Sequence, residues 1–298
     1  MNRTGNFAAL VLMLCALVCG NAAHAEDAST SPSSLVVPKS QIEYQPLNPA
    51  RGDASPRAGV LWGDIKRDVG SGAIIRFVDG FSSPPHIHNI TYRGVVITGA
   101  VHNDDPDAAR QWMGPGSFWT QPAGEVHITA ARPGAEAVIF LEILEGPYLV
   151  QPPEDAFDNG ERPVNVDATN LQWLNASDVT WLGAGNSTGC AAAQVAFLWG
   201  AQRPDARNGT LLRLPTGFEG SLRGNKDLLR AVVIRGELEQ RLAGQSAAIQ
   251  LPRESYFGVK DAAKQAIACT SEDGCLLYVS ATGRYQLSSG GASGPCDG

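Results

Sequence analysis

Short apolar segments separated by turn-forming residues recur along most of the chain. The run Val95-Val96-Ile97 is followed two residues later by Gly99, and a similar run, Val232-Val233-Ile234, is followed in the same way by Gly236. The 298 residues include 33 glycines and 19 prolines but only three methionines. This balance favours many short strands joined by turns over long helices. With 43% hydrophobic residues, the chain can bury a sizeable core, and its length suits two domains of ordinary size.

The two apolar runs belong to an internal repeat. A shift of 137 residues, the distance from Trp62 to Trp199, aligns them. Further matches at this shift are Gly72 with Gly209, Arg76 with Arg213, Gly80 with Gly217, Gly99 with Gly236 and Tyr148 with Tyr285. So many matches predict two copies of one β-domain. We expect a flexible lead-in over residues 26–40, a front copy over residues 41–160 and a rear copy over residues 161–298.

Two histidines in the front copy have the spacing of metal ligands on a strand. His86 and His88 occupy alternate positions, and alternate side chains of a strand point to one face. Further on, the turn-forming residues Pro122 and Gly124 would bend the chain and aim a third imidazole, that of His127. Three histidines leave coordination positions open to water or substrate and suit Fe, Mn, Ni, Cu or Zn. The predicted metal ligands are therefore His86, His88 and His127.

Together these segments resemble the paired motif of the cupins, small antiparallel β-barrels that commonly carry one metal ion. The matching residues are Gly80, His86, His88 and Gly99 in the first motif and Gly116, Pro122, Gly124 and His127 in the second. The usual glutamate ligand falls on Tyr92 and the terminal asparagine on Ala131, so the site resembles the three-histidine variety of cysteine-dioxygenase-like and diketone-cleaving cupins. The chain is also similar to uncharacterised bicupins related to the cupin half of the ChrR anti-sigma factor. The resemblance implies an all-β fold of two tandem cupin-type antiparallel barrels, or jelly rolls.

The repeat predicts that only the front copy carries chemistry. The shift places Arg223 and Asn225 at the positions of His86 and His88, and Leu229 at that of Tyr92. Aligning Pro122 with Pro252 puts Phe257 at the position of His127. We therefore expect the rear copy to be structural, either a dimerisation domain or a lid.

Three further residues are candidates for catalysis beside the metal. Glu125 could complete the ligand shell or act as a general base, with a solvent-facing turn residue as the equal alternative. Tyr92 could donate a proton to a bound oxygen species, or simply fill the barrel. Gln121 is expected to support the ligands, because Leu251 in the rear copy is apolar. Glu142, aligned with Val279, is a further candidate by the same argument, whereas His102 to Asp105 is interpreted as a surface loop over the barrel mouth.

The first 25 residues predict a targeting segment. Arg3 precedes an apolar run from Phe7 to Cys19, too short to span a bilayer comfortably, and Ala23-His24-Ala25 follows. We expect a Sec-type signal peptide cleaved after Ala25, a periplasmic or secreted protein, and no membrane span. A lipoprotein anchored through Cys19 is the alternative, which Val18 disfavours. The net charge of −7, without any block of Lys or Arg, argues against nucleic acid and anionic membranes as partners.

Four cysteines follow the predicted cleavage site: Cys190, Cys269, Cys275 and Cys296. An even number in an oxidising compartment suggests disulfides, and four cysteines allow three connectivities. Cys269 and Cys275 would lie opposite each other in a tight hairpin, so we predict that they are bonded. Cys190 bonded to Cys296 would then hold the C-terminal tail.

The sequence therefore predicts an exported protein that binds one divalent metal ion, Fe, Mn, Ni or Zn, in its front copy. The first hypothesis is a mononuclear metal-dependent enzyme, dioxygenase-like or isomerase-like, that acts on a small chelating organic substrate. The alternatives are a non-catalytic ligand-binding or sensor module and a purely structural bicupin, because cupins include all three. Whether the protein is a homodimer stays open at this point.

Overall fold

The structure, a computed structural model, describes residues 34–182, 193–225, 227–242, 247–260 and 262–290. Over these ranges the chain is almost entirely antiparallel β-structure, and its helices are short 3-10 segments. None of the described helices has the length and apolar character needed to cross a membrane. The described residues form one compact unit. The predicted all-β, antiparallel architecture is confirmed.

The described strands are numbered in chain order. The first twelve are β1 (Ser34–Val37), β2 (Tyr44–Pro46), β3 (Arg57–Trp62), β4 (Ser71–Phe77), β5 (Ile87–His88), β6 (Tyr92–Thr98), β7 (Val101–Asp104), β8 (Phe118–Gln121), β9 (Ile128–Ala131), β10 (Ala137–Ile143), β11 (Val150–Gln151) and β12 (Val164–Val166). The others are β13 (Leu174–Asn175), β14 (Gln194–Gly200), β15 (Arg207–Leu214), β16 (Glu219–Arg223), β17 (Leu229–Arg235), β18 (Glu237–Arg241), β19 (Ala248–Pro252), β20 (Tyr256–Val259), β21 (Lys264–Cys269), β22 (Cys275–Thr282) and β23 (Gln286–Ser289). Short 3-10 helices span Lys39–Gln41, Pro49–Ala54, Pro153–Asp155, Ala168–Asn170, Ala176–Asp178 and Thr180–Leu182.

Two seven-stranded sheets organise the described chain. The front sheet has the order β12-β8-β6-β10-β4-β3-β2 and is accompanied by the pairs β5-β11 and β7-β9. The rear sheet has the order β1-β20-β17-β22-β15-β14-β13 and is accompanied by the five-stranded sheet β19-β18-β21-β16-β23. Between the two large sheets, Trp62 packs on Tyr256 with ring centroids 4.7 Å apart, and Phe140 packs on Tyr278 at 5.0 Å. Apolar side chains of both large sheets thus form one shared core.

The sheets follow the predicted repeat through their central strands. β6 and β17 begin at Tyr92 and Leu229 and are seven residues long, so the shift of 137 holds along their whole length. From β8 to β10 the shift is 138, because Tyr92 pairs with Gln121 where Leu229 pairs with Val259. The structural counterpart of Gln121 is therefore Val259.

The predicted alignment of Pro122 with Pro252 is wrong. Phe257 pairs with Ala231 as Trp119 pairs with Gly94, so Phe257 is the counterpart of Trp119 and not of the third histidine. An alignment anchored on a turn proline cannot detect which strands are hydrogen-bonded, and strand pairing decides which positions are equivalent.

The rear counterparts of the paired histidines are Leu222 and Gln265. These two residues face each other between β16 and β21, as His86 and His127 do in the front copy. The fixed shift pointed to Arg223 instead because the segment before His86 is irregular and contains two prolines, which have no N–H for a regular ladder. The described rear copy thus has an apolar residue and an amide where the front copy has imidazoles.

Two strands cross between the copies. β1 pairs with β20 and extends the rear sheet, although it precedes the front copy in sequence. Conversely, β12 pairs with β8 in the front sheet, although it follows residue 160. The expectation of a flexible lead-in over residues 26–40 is therefore wrong from Ser34 onward, because β1 supplies hydrogen bonds to the edge of the rear sheet. The boundary near residue 160 stays a prediction.

The segment from His102 to Asp105 is not a surface loop. Val101–Asp104 forms β7, which pairs with β9, and His102 and Asn103 are both buried. Period-two alternation in this short polar segment is masked by its Asn and Asp residues, which are usually found in turns.

The predicted disulfide between Cys269 and Cys275 is confirmed, and it joins the end of β21 to the start of β22. Both cysteines are buried in the core of the rear copy. The other predicted pair, Cys190 and Cys296, lies outside the described residues.

Candidate metal centre

Three imidazoles converge inside the front copy. His86 and His127 face each other across an antiparallel bridge whose main-chain hydrogen bonds measure 3.1 and 3.0 Å. His88 follows in β5, and its ring centroid lies 4.9 Å from that of His86 and 5.3 Å from that of His127. One nitrogen of each ring lies within 4.8 Å of the other two. The three residues predicted from the motif spacing are thus brought together.

Backbone carbonyls hold each of the three rings by the same nitrogen. Nδ1 of His86 donates to the Pro84 carbonyl at 2.9 Å, Nδ1 of His88 to the Leu149 carbonyl at 2.8 Å, and Nδ1 of His127 to the Glu125 carbonyl at 3.1 Å. A carbonyl can only accept, so the proton of each neutral ring is on Nδ1. Nε2 of each ring consequently keeps its lone pair, which is the arrangement found in histidine ligands whose other nitrogen is anchored.

Burial keeps the cluster neutral. It lowers the pKa of His86, and it lowers the pKa of His88 well below the usual value, with smaller contributions from the neighbouring His127 and His86. Burial, reinforced by His86, lowers the pKa of His127 to about 3. The rings are therefore unprotonated near neutral pH, which is the form that binds metals.

The donor set fits a single divalent ion. Among the described residues, these are the only three His, Cys, Asp or Glu side chains close enough together to share one. Three histidines without a protein carboxylate leave open positions, as in catalytic sites, whereas structural sites are usually closed by four protein ligands. The remaining described histidine, His102, is buried with its Nε2 unpartnered and does not belong to the cluster.

A buried network of hydrogen bonds lies behind the cluster and centres on Asn103. Its side-chain oxygen accepts from the Tyr92 hydroxyl at 2.8 Å and from the Thr129 hydroxyl at 2.7 Å. Its amide donates to Gln121 Oε1 at 2.8 Å, and Gln121 Nε2 donates at 3.2 Å to the Glu125 carbonyl, which also holds His127. Gln121 therefore occupies the supporting position expected of it, and its role stays a prediction.

Sequence reasoning missed Asn103 because it was assigned to a loop. A signal was present in the repeat, since the shift of 137 maps Val101 and Asn103 onto Leu238 and Gln240. Both pairs alternate an apolar residue with a polar one, the pattern of a strand with one face inward.

Tyr92 lies beside the cluster as expected. Its hydroxyl is 3.4 Å from Nε2 of His127, but its proton is donated to Asn103. Burial raises the pKa of Tyr92 to about 12, so the phenol is protonated. Its predicted catalytic part stays a prediction.

Two predicted acidic candidates lie elsewhere. The carboxylate of Glu125 neither joins the histidine cluster nor lines the cavity, because the turn at Pro122–Gly124 breaks the alternation that would have aimed it inward. The Glu125 group that contacts His127 is its backbone carbonyl.

Glu142 is buried at the contact with the rear sheet, where its carboxylate accepts a hydrogen bond from Tyr278 at 2.6 Å, so it lines no pocket around the histidines. Strand register makes Ser280 its counterpart, not Val279.

Tyr148 was matched only as part of the repeat, yet it contacts a predicted ligand. Its ring stacks on that of His88 with centroids 4.1 Å apart, and its hydroxyl lies 3.0 Å from Nε2 of His88. Burial raises the pKa of Tyr148 well above its usual value, so its hydroxyl is a donor to that nitrogen.

Two of the histidines, His86 and His88, line a cavity of about 400 Å³. Its apolar walls include Ile75, Phe77, Phe81, Ile139 and Leu141. Polar lining groups include Ser83, Thr129, Tyr92, Tyr148 and Asn48. Arg51 is the one positively charged side chain in the described lining. No described carboxylate lines the cavity. The site is therefore suited to a small anion with an apolar body.

Solved structures with a similar fold include proteins of the dioxygenase class. One, from Nostoc punctiforme and provisionally described as a dioxygenase, has a TM-score of 0.62 at 15% identity over 85% of this chain and 82% of its own. The protein Ylba from Escherichia coli has a TM-score of 0.58 at 12% identity, covering 84% and 91%. A salicylate 1,2-dioxygenase from Pseudoaminobacter salicylatoxidans, solved as adducts with gentisate, has a TM-score of 0.52 at 15% identity, covering 78% and 74%.

At these identities the likenesses concern the fold alone, and they confirm the predicted cupin-type jelly-roll architecture. A comparison with proteins of curated function finds no match. The model of one protein family, a domain of unknown function designated DUF4437, matches residues 36–288 and so takes in the histidine cluster and both large sheets. Because this single family model covers most of the chain, from within β1 to within β23, the chain belongs to the DUF4437 family.

Proposed function

We propose that this protein is an exported bicupin that holds one divalent metal ion and uses it to oxygenate a small, chelating organic anion. The observation that carries the proposal is the convergence of His86, His88 and His127, each fixed by a carbonyl so that Nε2 carries the lone pair. Such an ion, when bound, supplies a Lewis acid with open positions for substrate and O2.

The charges around the cluster support an anionic substrate. Three neutral imidazoles leave the positive charge of a bound ion intact, and Arg51 adds a second positive charge to the cavity lining. The apolar walls exclude water from the body of the substrate, which strengthens both attractions. A cavity of about 400 Å³ is at the small end of the range for ligand pockets, so a molecule with a single ring is the expected size.

The cavity favours oxygenation over isomerisation. An isomerase needs a general base within reach of the proton it removes, and no described carboxylate lines the cavity. The carboxylate of Glu125, the base considered from the sequence, lies outside it. A chelating substrate that arrives as its anion needs no such base.

The comparisons with solved structures also support oxygenation of an aromatic acid. Gentisate, the ligand of the similar salicylate 1,2-dioxygenase structure, is a chelating aromatic acid of the expected kind. The repeated strand pattern supports the bicupin interpretation. The relation to the cupin half of ChrR also remains part of the proposal.

Export is the remaining part of the proposal. It is supported by the signal-like pattern of residues 1–25 and by the disulfide between Cys269 and Cys275, since disulfides persist mainly in oxidising compartments. N-terminal sequencing of protein recovered from the periplasm or the medium should begin at Glu26. A chain that still begins at Met1 there, or that stays in the cytoplasm, would contradict export.

The test of the metal centre is elemental analysis of the exported protein with paired histidine variants. We expect about one Fe, Mn or Ni per chain, lost in His88→Gln and kept in His102→Gln, which changes a buried histidine outside the cluster. Oxygen uptake on adding gentisate or salicylate should follow the metal content. Equal metal content in the two variants would contradict the proposal.

The second candidate function is a module that binds a ligand through a metal without turnover. The lack of a described carboxylate in the cavity also favours this function, since nothing but the ion would promote chemistry there. Stoichiometric Zn, tight binding of gentisate and no oxygen uptake would identify it. A homodimer formed through the rear copy remains a prediction that light scattering can check.

A further inference from the structure

Tyr148 is placed differently from the other tyrosines of the cavity and of the rear copy. In the described chain, its hydroxyl has a single hydrogen-bond partner, Nε2 of His88 at 3.0 Å. Because Nδ1 of His88 donates to a carbonyl, Nε2 is the acceptor and Tyr148 the donor. That lone pair is the one with which His88 would hold a metal ion.

A nitrogen lone pair cannot accept a hydrogen bond and bind an ion at the same time. Loading the site therefore removes the only described partner of the Tyr148 hydroxyl and leaves a donor without an acceptor at the edge of the cluster. An unpaired donor in a mostly apolar cavity is costly, so it gains by donating to whatever anion occupies the open position.

The neighbouring Tyr92 cannot do this as readily. Its proton is already donated to Asn103 at 2.8 Å, and Nε2 of His127 is farther away, at 3.4 Å. Asn103 is no ligand candidate, so that bond persists when the site is loaded. When the metal binds, Tyr148 is thus the phenol whose hydroxyl loses its acceptor and becomes available to donate elsewhere.

The repeat provides an internal comparison. Tyr285, the match of Tyr148 in the rear copy, shares a hydrogen bond of 2.8 Å with Thr210 in the core. The counterpart of Thr210 in the front copy is Ala73, which pairs with Leu141 as Thr210 pairs with Val279. The front copy therefore lacks this hydroxyl partner, and the tyrosine hydroxyl contacts a predicted metal ligand instead.

We infer that Tyr148 is the positioning residue of the metal centre, which donates a hydrogen bond to the anion bound at the open position of the ion. The ligands that benefit are small anions with an acceptor next to the coordinating atom, such as carboxylates, enolates and azide. This inference rests on the proposed metal centre.

The test is an azide titration of the full exported chain loaded with Co(II), followed by the visible absorption of the ion. In Tyr148→Phe we expect cobalt affinity equal to or above that of the unmodified protein, because the competing donor is gone. We expect azide to bind about tenfold more weakly, as for the loss of one hydrogen bond to a charged group. The matched control, Tyr285→Phe, should lose thermal stability and keep the azide affinity.

The outcomes separate this inference from the proposed function. If the unmodified protein takes up no cobalt, the metal centre itself is refuted and the inference falls with it. If cobalt binds and Tyr148→Phe changes only the melting temperature, Tyr148 is structural and the inference alone is overturned. A weaker azide affinity in both Tyr→Phe variants would also overturn it, because the effect would not be local.

Discussion

Asn103 is the residue on which the buried polar groups behind the histidines converge. It joins Tyr92, Thr129 and Gln121 into one network, and Gln121 extends that network to the carbonyl that holds His127. Removing a group that orients a metal ligand by a hydrogen bond typically lowers metal affinity about 10- to 100-fold. At this scale the site depends on which atom each residue presents, and Glu125 presents its carbonyl instead of its carboxylate.

We predict that Asn103→Leu destabilises the protein and weakens its metal site. The substitution removes three buried hydrogen bonds, those to Tyr92, Thr129 and Gln121, which we expect to cost about 2–4 kcal/mol of the free energy of unfolding. Metal affinity should fall about 10- to 100-fold as His127 loses its support. Urea unfolding and metal titration measure the two effects.

The control is Gln240→Leu, at the counterpart of Asn103 in the rear copy. Gln240 makes one long amide contact, 3.3 Å to Gln265, and its own oxygen has no partner. We expect a loss of no more than about 1 kcal/mol and no change in metal affinity. An equal loss of metal affinity in both variants would show that Asn103 acts only through stability.

At the scale of elements, β1 covers the hydrogen-bonding edge of β20 and becomes the outer strand of the rear sheet. Its four residues pair with β20, and the side chains of Val36 and Val37 pack on buried apolar clusters. An uncovered edge strand presents free N–H and C=O groups to other chains. The crossing of β1 therefore adds hydrogen bonds and apolar contacts that stabilise the rear sheet, and it keeps the edge of β20 covered.

We predict that a chain beginning at residue 38 is less stable and associates. Losing β1 removes a strand's hydrogen bonds and exposes β20, so urea unfolding should shift to lower concentration and light scattering should detect oligomers. Leu35→Lys is the control, because this side chain is 48% exposed and its replacement keeps the backbone pairing. A truncated chain that stays monomeric and as stable as the control would refute the role given to β1.

At the scale of the whole molecule, the two copies share a core and a buried polar contact. Glu142 of the front sheet accepts from Tyr278 of the rear sheet at 2.6 Å, and Tyr278 in turn accepts from Trp199 at 2.9 Å. Both Glu142 and Tyr278 are almost fully buried. With two strands also crossing between the sheets, the described chain should unfold in one cooperative step.

We predict that Tyr278→Phe lowers the free energy of unfolding by about 3 kcal/mol, because it leaves a buried carboxylate without its donor. Metal content of the folded protein should not change. In a Glu142→Gln background the same substitution should cost clearly less, since an amide is easier to leave unpaired than a carboxylate. Equal costs in the two backgrounds, measured by urea unfolding, would refute this coupling.

The pattern of the sequence was sufficient for everything that depends on local spacing. The alternate positions of His86 and His88 on a strand predicted two metal ligands, and the turn before His127 indicated the third. The short separation of Cys269 and Cys275 indicated their disulfide. The repeat likewise predicted the all-β class and the loss of ligands from the rear copy. The ligand positions and the disulfide follow from residues that are near neighbours in the chain, where side-chain direction is set by the backbone period.

Only the tertiary structure decided what depends on contacts between distant segments. Strand pairing assigned Gln265 to the position of His127, moved β1 into the rear sheet and turned the expected loop at Asn103 into a buried strand. Folding also brought Tyr148 onto His88 and left the carboxylate of Glu125 outside the cavity. Register and crossing connections are set by the total packing of both sheets, so no local period in the sequence encodes them.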